Sequence, residues 1–486
     1  MNNLLKDLGI NYLLVNSTNE YLVEYSALSE NARYTLTGFS GSTGDALLTE
    51  DNIYLFVDGR YHTQADNEAK EGVNVIKLQL GQKQDEEIKK LIDKDKVLGI
   101  VSKKVSQQRL EGFNGYNIKL LDIDPINNYT EPHNQPLERA FNPIDYKPEK
   151  PWFISNLEEA SYITGLRDFS RDCSSKIWAK LYIDSDKQVL FENSKDCDEF
   201  LRNFDGELLV DKASINAHDY ALIKEPIHNL SPVKQMKAIK SQQEIEAYKK
   251  AFERTDMAVQ AIRDYIESNE NLSEYDIAKR LREEFMKYGA KSLIVAIDKN
   301  SALAHYSKNS KDIILKDGSL VLIDCGAYYE SGLATDITRV FVKGQPSMLQ
   351  KRVYTTVLKA FLNAFNRNFK TGYEYDALAH SILDDKIEGF TFGHGLGHGL
   401  GINVHEAPPA LNKSEIAHTE LQDGMCFSIE PGLYNPDYFG VRLENSCYKK
   451  DGKIHSFVKM GYEGKLIDYN SLSEQEKEWL KDFEIL

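Results

Sequence analysis

Cysteine is scarce: five residues in 486 (Cys173, Cys197, Cys325, Cys426 and Cys447), an odd number with no C-x-x-C spacing. That usage argues against a disulfide framework and a thiolate zinc knuckle, and suits a reducing compartment with each thiol a small buried apolar residue. Long apolar runs are missing as well. No stretch approaches the ~18 residues needed to span a bilayer, and the opening MNNLLKDLGINYLLV lacks the basic start and apolar core of a signal peptide. Basic residues are in deficit, 59 against 75 acidic, for a formal charge of -16. An acidic balance argues against nonspecific nucleic-acid binding and against docking on anionic membranes. The G-x-S-x-G elbow of α/β-hydrolases does not occur, nor do short repeats or low-complexity tracts. These absences leave a soluble cytoplasmic chain as the expectation. With 41% hydrophobic and 28% charged residues it is ordinary in composition, and its length exceeds one core, so two or three domains are expected.

Three blocks follow one another. Residues 1–134 alternate strand-like runs (NYLLV, DALLTE, NIYLFVDG, NVIKL, KVLGIV) with helical ones (TQADNEAK, DEEIKKLIDK), an α/β pattern. The polar, proline-bearing TEPHNQPLERAFNPIDYKPEKPW marks a boundary. A smaller block, 135–233, repeats the theme through PWFISN, LEEASYITGL, IWAKLYID and KQVLFEN. The third, 234–486, opens on a long helical pattern in which Ser241 and Glu244 are spaced as a capping box. A second helix starts the same way at Ser273 and Asp276, and the spacing predicts its end at Gly289.

The third block carries the chemistry. Asp324 ends the apolar run LVLID, a costly place for a lone charge. Twelve positions on, Asp336 opens the strand-like DITRVFV, with Thr338 on its face by period two. The intervening YYESGLAT reads as a hairpin tip, so the two carboxylates lie side by side and require a cation between them. In FGHGLGHGLGINVHEAPP, His394 and His398 share a face of an extended chain and His405 lies beyond the glycine-rich bend. Glu430 terminates MCFSIE, and Arg442 and Glu444 share one face of FGVRLENS while Val441 and Leu443 take the other. Four carboxylates and one imidazole form a hard, oxygen-rich set. It suits Mn²⁺, or Co²⁺ or Zn²⁺ in a carboxylate-bridged pair. Two divalent ions nearly balance the four acids and would make a shared water acidic enough to act as a hydroxide nucleophile.

In this order, D-C-G…D-I-T-R, H-G-L-G-H, V-H-E, I-E-P-G and V-R-L-E-N resemble the pita-bread metallopeptidases, the group of Xaa-Pro aminopeptidases, prolidases and methionine aminopeptidases. ARYTLTGFSGSTGDALLTEDNIYLFVDGRYHTQA looks like the N-terminal domain of aminopeptidase P proteins, and SNLEEASYITGLR like the second domain of their large, three-domain type. The tail LIDYNSLSEQEKEWLKDF is similar to the C-terminal extension of that type. The resemblance implies an α/β (α+β) chain with two creatinase/ribonuclease-H-like domains, 1–134 and 135–233, before a pita-bread catalytic domain, 234–486. It implies that Asp336 and Glu444 bridge two metals, that Asp324 chelates one, and that His398 and Glu430 hold the other. His305 and His405 would bind substrate and move protons at the tetrahedral intermediate. His394 would sit on the proline side, and Arg442 and Thr338 would stand behind the ligands. The implied substrates are peptides with proline in second position, and the implied assembly is a homodimer.

One spacing departs from the family: eleven residues separate Asp324 from Asp336, where ten are usual. The hairpin tip is expected to absorb the extra residue, since inside a strand it would turn one aspartate to the wrong face. Two other readings remain open on sequence: a prolidase confined to Xaa-Pro dipeptides, and a metal-free binding module on the same fold.

Overall fold

Most of the strand-like runs form strands buried along nearly their whole length, and the grouping of these strands into sheets divides the chain. The computed structural model describes residues 2–79, 81–130, 136–289 and 293–486. It falls into two compact units, Met1–Asp168 with Lys176–Val233, and Phe169–Ser175 with Lys234–Leu486. The boundary expected between residues 134 and 135 lies outside the described residues.

The first unit holds two mixed sheets. The six-stranded one runs Val73–Lys77, Ile53–Val57, Ala46–Leu48, Tyr12–Val15, Val97–Val101, Asn117–Leu121. The central Tyr12–Val15 is buried along its whole length because apolar clusters cover both faces of the sheet. The five-stranded sheet runs Gln188–Phe191, Lys180–Ile183, Trp152–Ile154, Glu207–Val210, Glu225–His228, again with a cluster on each face.

The second unit is built on an antiparallel sheet ordered Ile294–Ile297, Leu320–Cys325, Ile337–Val342, Glu444–Lys450, Cys426–Ile429, with Lys453–Ser456 added beside Glu444–Lys450. One large core, drawing on this sheet and on the helices Met348–Phe365 and Gly372–Leu383, lies against it. The long helix Gln242–Ser268 and the helix Glu274–Phe285 both begin on the expected capping boxes at Ser241 and Ser273. The second ends earlier than its glycine. Met286 takes φ +55°, which breaks the i→i−4 ladder, and a 3₁₀ turn, Met286–Tyr288, carries the chain to Gly289.

Val441 and Leu443 are fully buried in the core, so their alternates Arg442 and Glu444 face the other way. Leu443→Ala is therefore expected to cost about 2–5 kcal/mol and to lower the denaturant midpoint of the metal-free protein.

Candidate metal centre

The site is set by the register of one hairpin. Leu320–Cys325 pairs with Ile337–Val342 without a bulge, Asp324 opposite Thr338 and Cys325 opposite Ile337. The same register continues into the turn, where Thr335 N–H donates to Ala327 O at 2.8 Å and Ala327 N–H to Thr335 Oγ1 at 2.9 Å. The extra residue therefore lies in the tip beyond this closure, and Asp324, Thr338 and Asp336 share a face.

Three further segments bring their side chains to that face. Glu444 opens the strand beside Thr338, whose Oγ1 donates to Glu444 Oε2 at 2.8 Å. Glu430 follows directly on Cys426–Ile429. His398 reaches in on a short strand, Gly397–His398, that lies against Cys426–Ile429; a Cβ on Gly397 would stand 2.1 Å from Ser428 O, so glycine is required there. His398 Nε2 lies 3.6 Å from Asp336 Oδ2 and 3.5 Å from Glu430 Oε1. Its Nδ1 is 3.1 Å from Gly399 O, a pure acceptor, so the proton sits on Nδ1 and Nε2 offers its lone pair to the acids. The His405 ring stands edge-on to it, 4.3 Å between centroids. The donor atoms of Asp336, His398 and Glu444 all fall within 4.8 Å of one another.

Arg442 is the fixed cation of the cluster. Its Nη2 pairs with Asp324 Oδ2, its Nε donates to Thr338 Oγ1 at 3.1 Å, and its Nη1 to Tyr434 OH at 2.9 Å. Tyr434 OH is 2.7 Å from His394 Nε2, while His394 Nδ1 is 2.8 Å from Gly395 O. Because the carbonyl requires the proton on Nδ1, the phenol donates to Nε2, giving an oriented chain from Arg442 through Tyr434 to His394. Tyr434 was missed by the motif reading, although period two from Glu430 through Gly432 points to it. His394 thus joins the cluster through Tyr434. His305 follows the turn Asp298–Ala302, and its neighbour Ala304 accepts from Arg442 Nη1 at 3.4 Å.

The acids are held against their preference. Burial, then Glu444, Asp324 and Glu430, push the Asp336 carboxyl well above the carboxylate range, with Arg442 opposing. Burial, then Glu430 and Asp324, do the same to Glu444. Glu430 rises from 4.5 to about 7, mainly through burial, with Arg442 and His405 pulling it down. Glu444 Oε1 is buried without a hydrogen-bond partner among the described residues. Clustered desolvated acids with a free oxygen and an imidazole lone pair are the donor chemistry of a divalent-cation site, and the residues fit one.

Residues 246–450 match Metallopeptidase family M24. The second unit carries an M24 metallopeptidase domain. Residues 1–128 match the Creatinase/Prolidase N-terminal domain. The chain is 26% identical to a probable Xaa-Pro aminopeptidase P of Coprinopsis cinerea, covering 99% of this chain and 92% of that protein. It is 25% identical to Xaa-Pro aminopeptidase 1 of Dictyostelium discoideum, covering 99% and 90%. Among solved structures, the X-prolyl aminopeptidase of Caenorhabditis elegans, described as a cytosolic enzyme with a di-nuclear active site, superposes with a TM-score of 0.86 at 20% identity, covering 97% of this chain and 90% of that one. That likeness establishes the fold alone; the two family matches give it, in chain order, a creatinase-type N-terminal region and then a pita-bread metallopeptidase domain.

Two outcomes follow for the M24 centre. Lysine cannot reach Asp324, Thr338 and Tyr434 at once, so Arg442→Lys is expected to weaken metal affinity about 10- to 100-fold, measured by calorimetric titration. The raised carboxyls bind protons more tightly in the folded protein than in the unfolded chain. The metal-free protein should therefore lose stability as pH rises from the ordinary carboxylate range through about 7. Its thermal midpoint should fall across that window, and a saturating divalent metal should abolish the fall and release protons on binding.

Proposed function

We propose that this chain is a two-metal aminopeptidase that removes the N-terminal residue from Xaa-Pro peptides. The observation that carries the reading is the convergence of Asp336, His398 and Glu444 within 4.8 Å of one another, with Glu430 beside His398 and Asp324 on the same hairpin face. Asp336 and Glu444 would be shared by two divalent ions, with Asp324 on one and His398 and Glu430 on the other. Bound there, the ions would supply Lewis acidity toward the scissile carbonyl and bring a water to ionise near neutral pH. Mn²⁺ fits the hard donor set best, with Co²⁺ or Zn²⁺ as alternatives.

The remaining residues orient and exchange protons. His405, whose ring stands edge-on to that of His398, and His305 would bind the peptide and donate to the developing oxyanion or the departing nitrogen. His394 faces Tyr434 on the side assigned to proline. The Xaa-Pro bond is a tertiary amide with no N–H, so recognition there works through shape and through the carbonyl. Names shared by full-length relatives support the proline preference. The division of the first unit into domains 1–134 and 135–233 is supported by its two separately cored sheets. A cytoplasmic location and a homodimer complete the reading; no helix among the described residues is long and apolar enough to cross a membrane.

The test is an Xaa-Pro-Yaa peptide series after loading with Mn²⁺, Co²⁺ or Zn²⁺. Release of the first residue from tripeptides such as Arg-Pro-Pro is expected, and Asp336→Ala should reduce it to background. Cleavage confined to dipeptides such as Gly-Pro would instead identify a prolidase. Absence of any bound or activating divalent ion would sink the metallopeptidase reading.

A further inference from the structure

A second charged cluster lies apart from the carboxylates and has no part in the chemistry above. Glu406 is buried, yet its Oε1 lies 3.1 Å from Lys237 Nζ and 3.4 Å from Lys240 Nζ, both buried too. Burial alone would raise this carboxyl, but the two ammonium groups override it and hold it down at about 2. Glu406 stays ionised and fixed in place.

What it fixes is the loop bearing His405. Glu406 Oε2 accepts the Asn403 N–H at 3.1 Å, and Asn403 Nδ2 donates to the His405 carbonyl at 3.1 Å. The Glu406 N–H donates to Gly399 O at 2.8 Å, tying the same residue back to the position after His398. Two glycines make room: a Cβ on Gly401 would stand 1.9 Å from Glu406 Oε1, and one on Gly399 would stand 2.2 Å from Glu406 O. At the other end, Lys240 N–H donates to Gly424 O at 2.9 Å, and Ile239 bridges to Met425, directly before the strand Cys426–Ile429 that Glu430 follows. The clamp thus joins the frame of Glu430 to the backbone of His405.

We propose that Glu406, clamped by Lys237 and Lys240, is the positioning residue for His405. It acts through the backbone of His405 and touches neither substrate nor metal. The role of His405 rests on the aminopeptidase reading; its placement by Glu406 does not.

The test uses the full-length, Mn²⁺-loaded protein. Glu406→Gln is expected to lower kcat/KM on Arg-Pro-Pro about 10- to 100-fold with bound metal unchanged. In a His405→Ala background the same change should cost less than about twofold, because its target is gone. A general structural role would impose the same penalty in both backgrounds, and that result would overturn the proposal. A second readout needs no activity: carbethoxylation of His405, followed by peptide mass mapping, should change several-fold in Glu406→Gln while exposed His418 reacts as before. An unchanged rate at His405 would also overturn it. Wild-type protein inactive on every Xaa-Pro peptide would refute the aminopeptidase reading alone, with carbethoxylation still deciding the placement. Should Glu406→Gln fail to fold, Lys237→Met/Glu406→Gln restores the native net charge of the cluster and is read in the same way.

Discussion

Desolvated like charge is the constraint around which the second unit is arranged. Asp336, Glu430 and Glu444 meet beside Asp324, where burial and the repulsion of neighbouring carboxylates favour the neutral forms of these three. Left to relax, such acids would rotate toward water. They are prevented by what stands behind each. Leu443 and Val441 anchor one strand in the core, the unbroken register fixes the hairpin, and Thr338 and Arg442 hold the carboxylates from the rear. The strain is thus stored in side chains while the backbone remains regular sheet, a division suited to a preorganised site.

Arg442 shows how one cation serves two ends. Burial works against its charge, but Tyr434, Asp324 and Glu430 together keep it firmly protonated. It therefore offsets the acids permanently and, through Tyr434, is linked to the His394 nitrogen that Gly395 O leaves without a proton. The lysine pair at Glu406 inverts the arrangement, surrounding one acid with two bases. There a depressed carboxyl replaces raised ones, as expected of a group meant to stay charged and still.

Features that depend on neighbours along the chain were legible in the sequence. The capping boxes at Ser241 and Ser273 form as spaced, and acids at the ends of apolar runs, Asp324 and Glu430, converge. The hairpin tip absorbs the added residue because strand pairing on both sides is worth more than a uniform turn length. Features that depend on distant partners were not legible. Glu406 stands within the V-H-E motif, but its partner Lys240 is 166 positions away. Tyr434 lies in a segment whose periodicity marks a face without naming what meets it. The early end of the helix at Phe285 turns on one left-handed residue, Met286, that no propensity scale anticipates.

None of the five thiols belongs to this site. All are buried. Desolvation pushes Cys197 and Cys426 up to about 12 and raises Cys325 and Cys447 well above the usual thiol value. At neutral pH the reactive thiolate is therefore scarce at these four, and access is poor at all five. The native chain is accordingly a clean background for site-directed labelling: one cysteine placed on the surface would take a maleimide dye or spin label, with no native thiol deleted first.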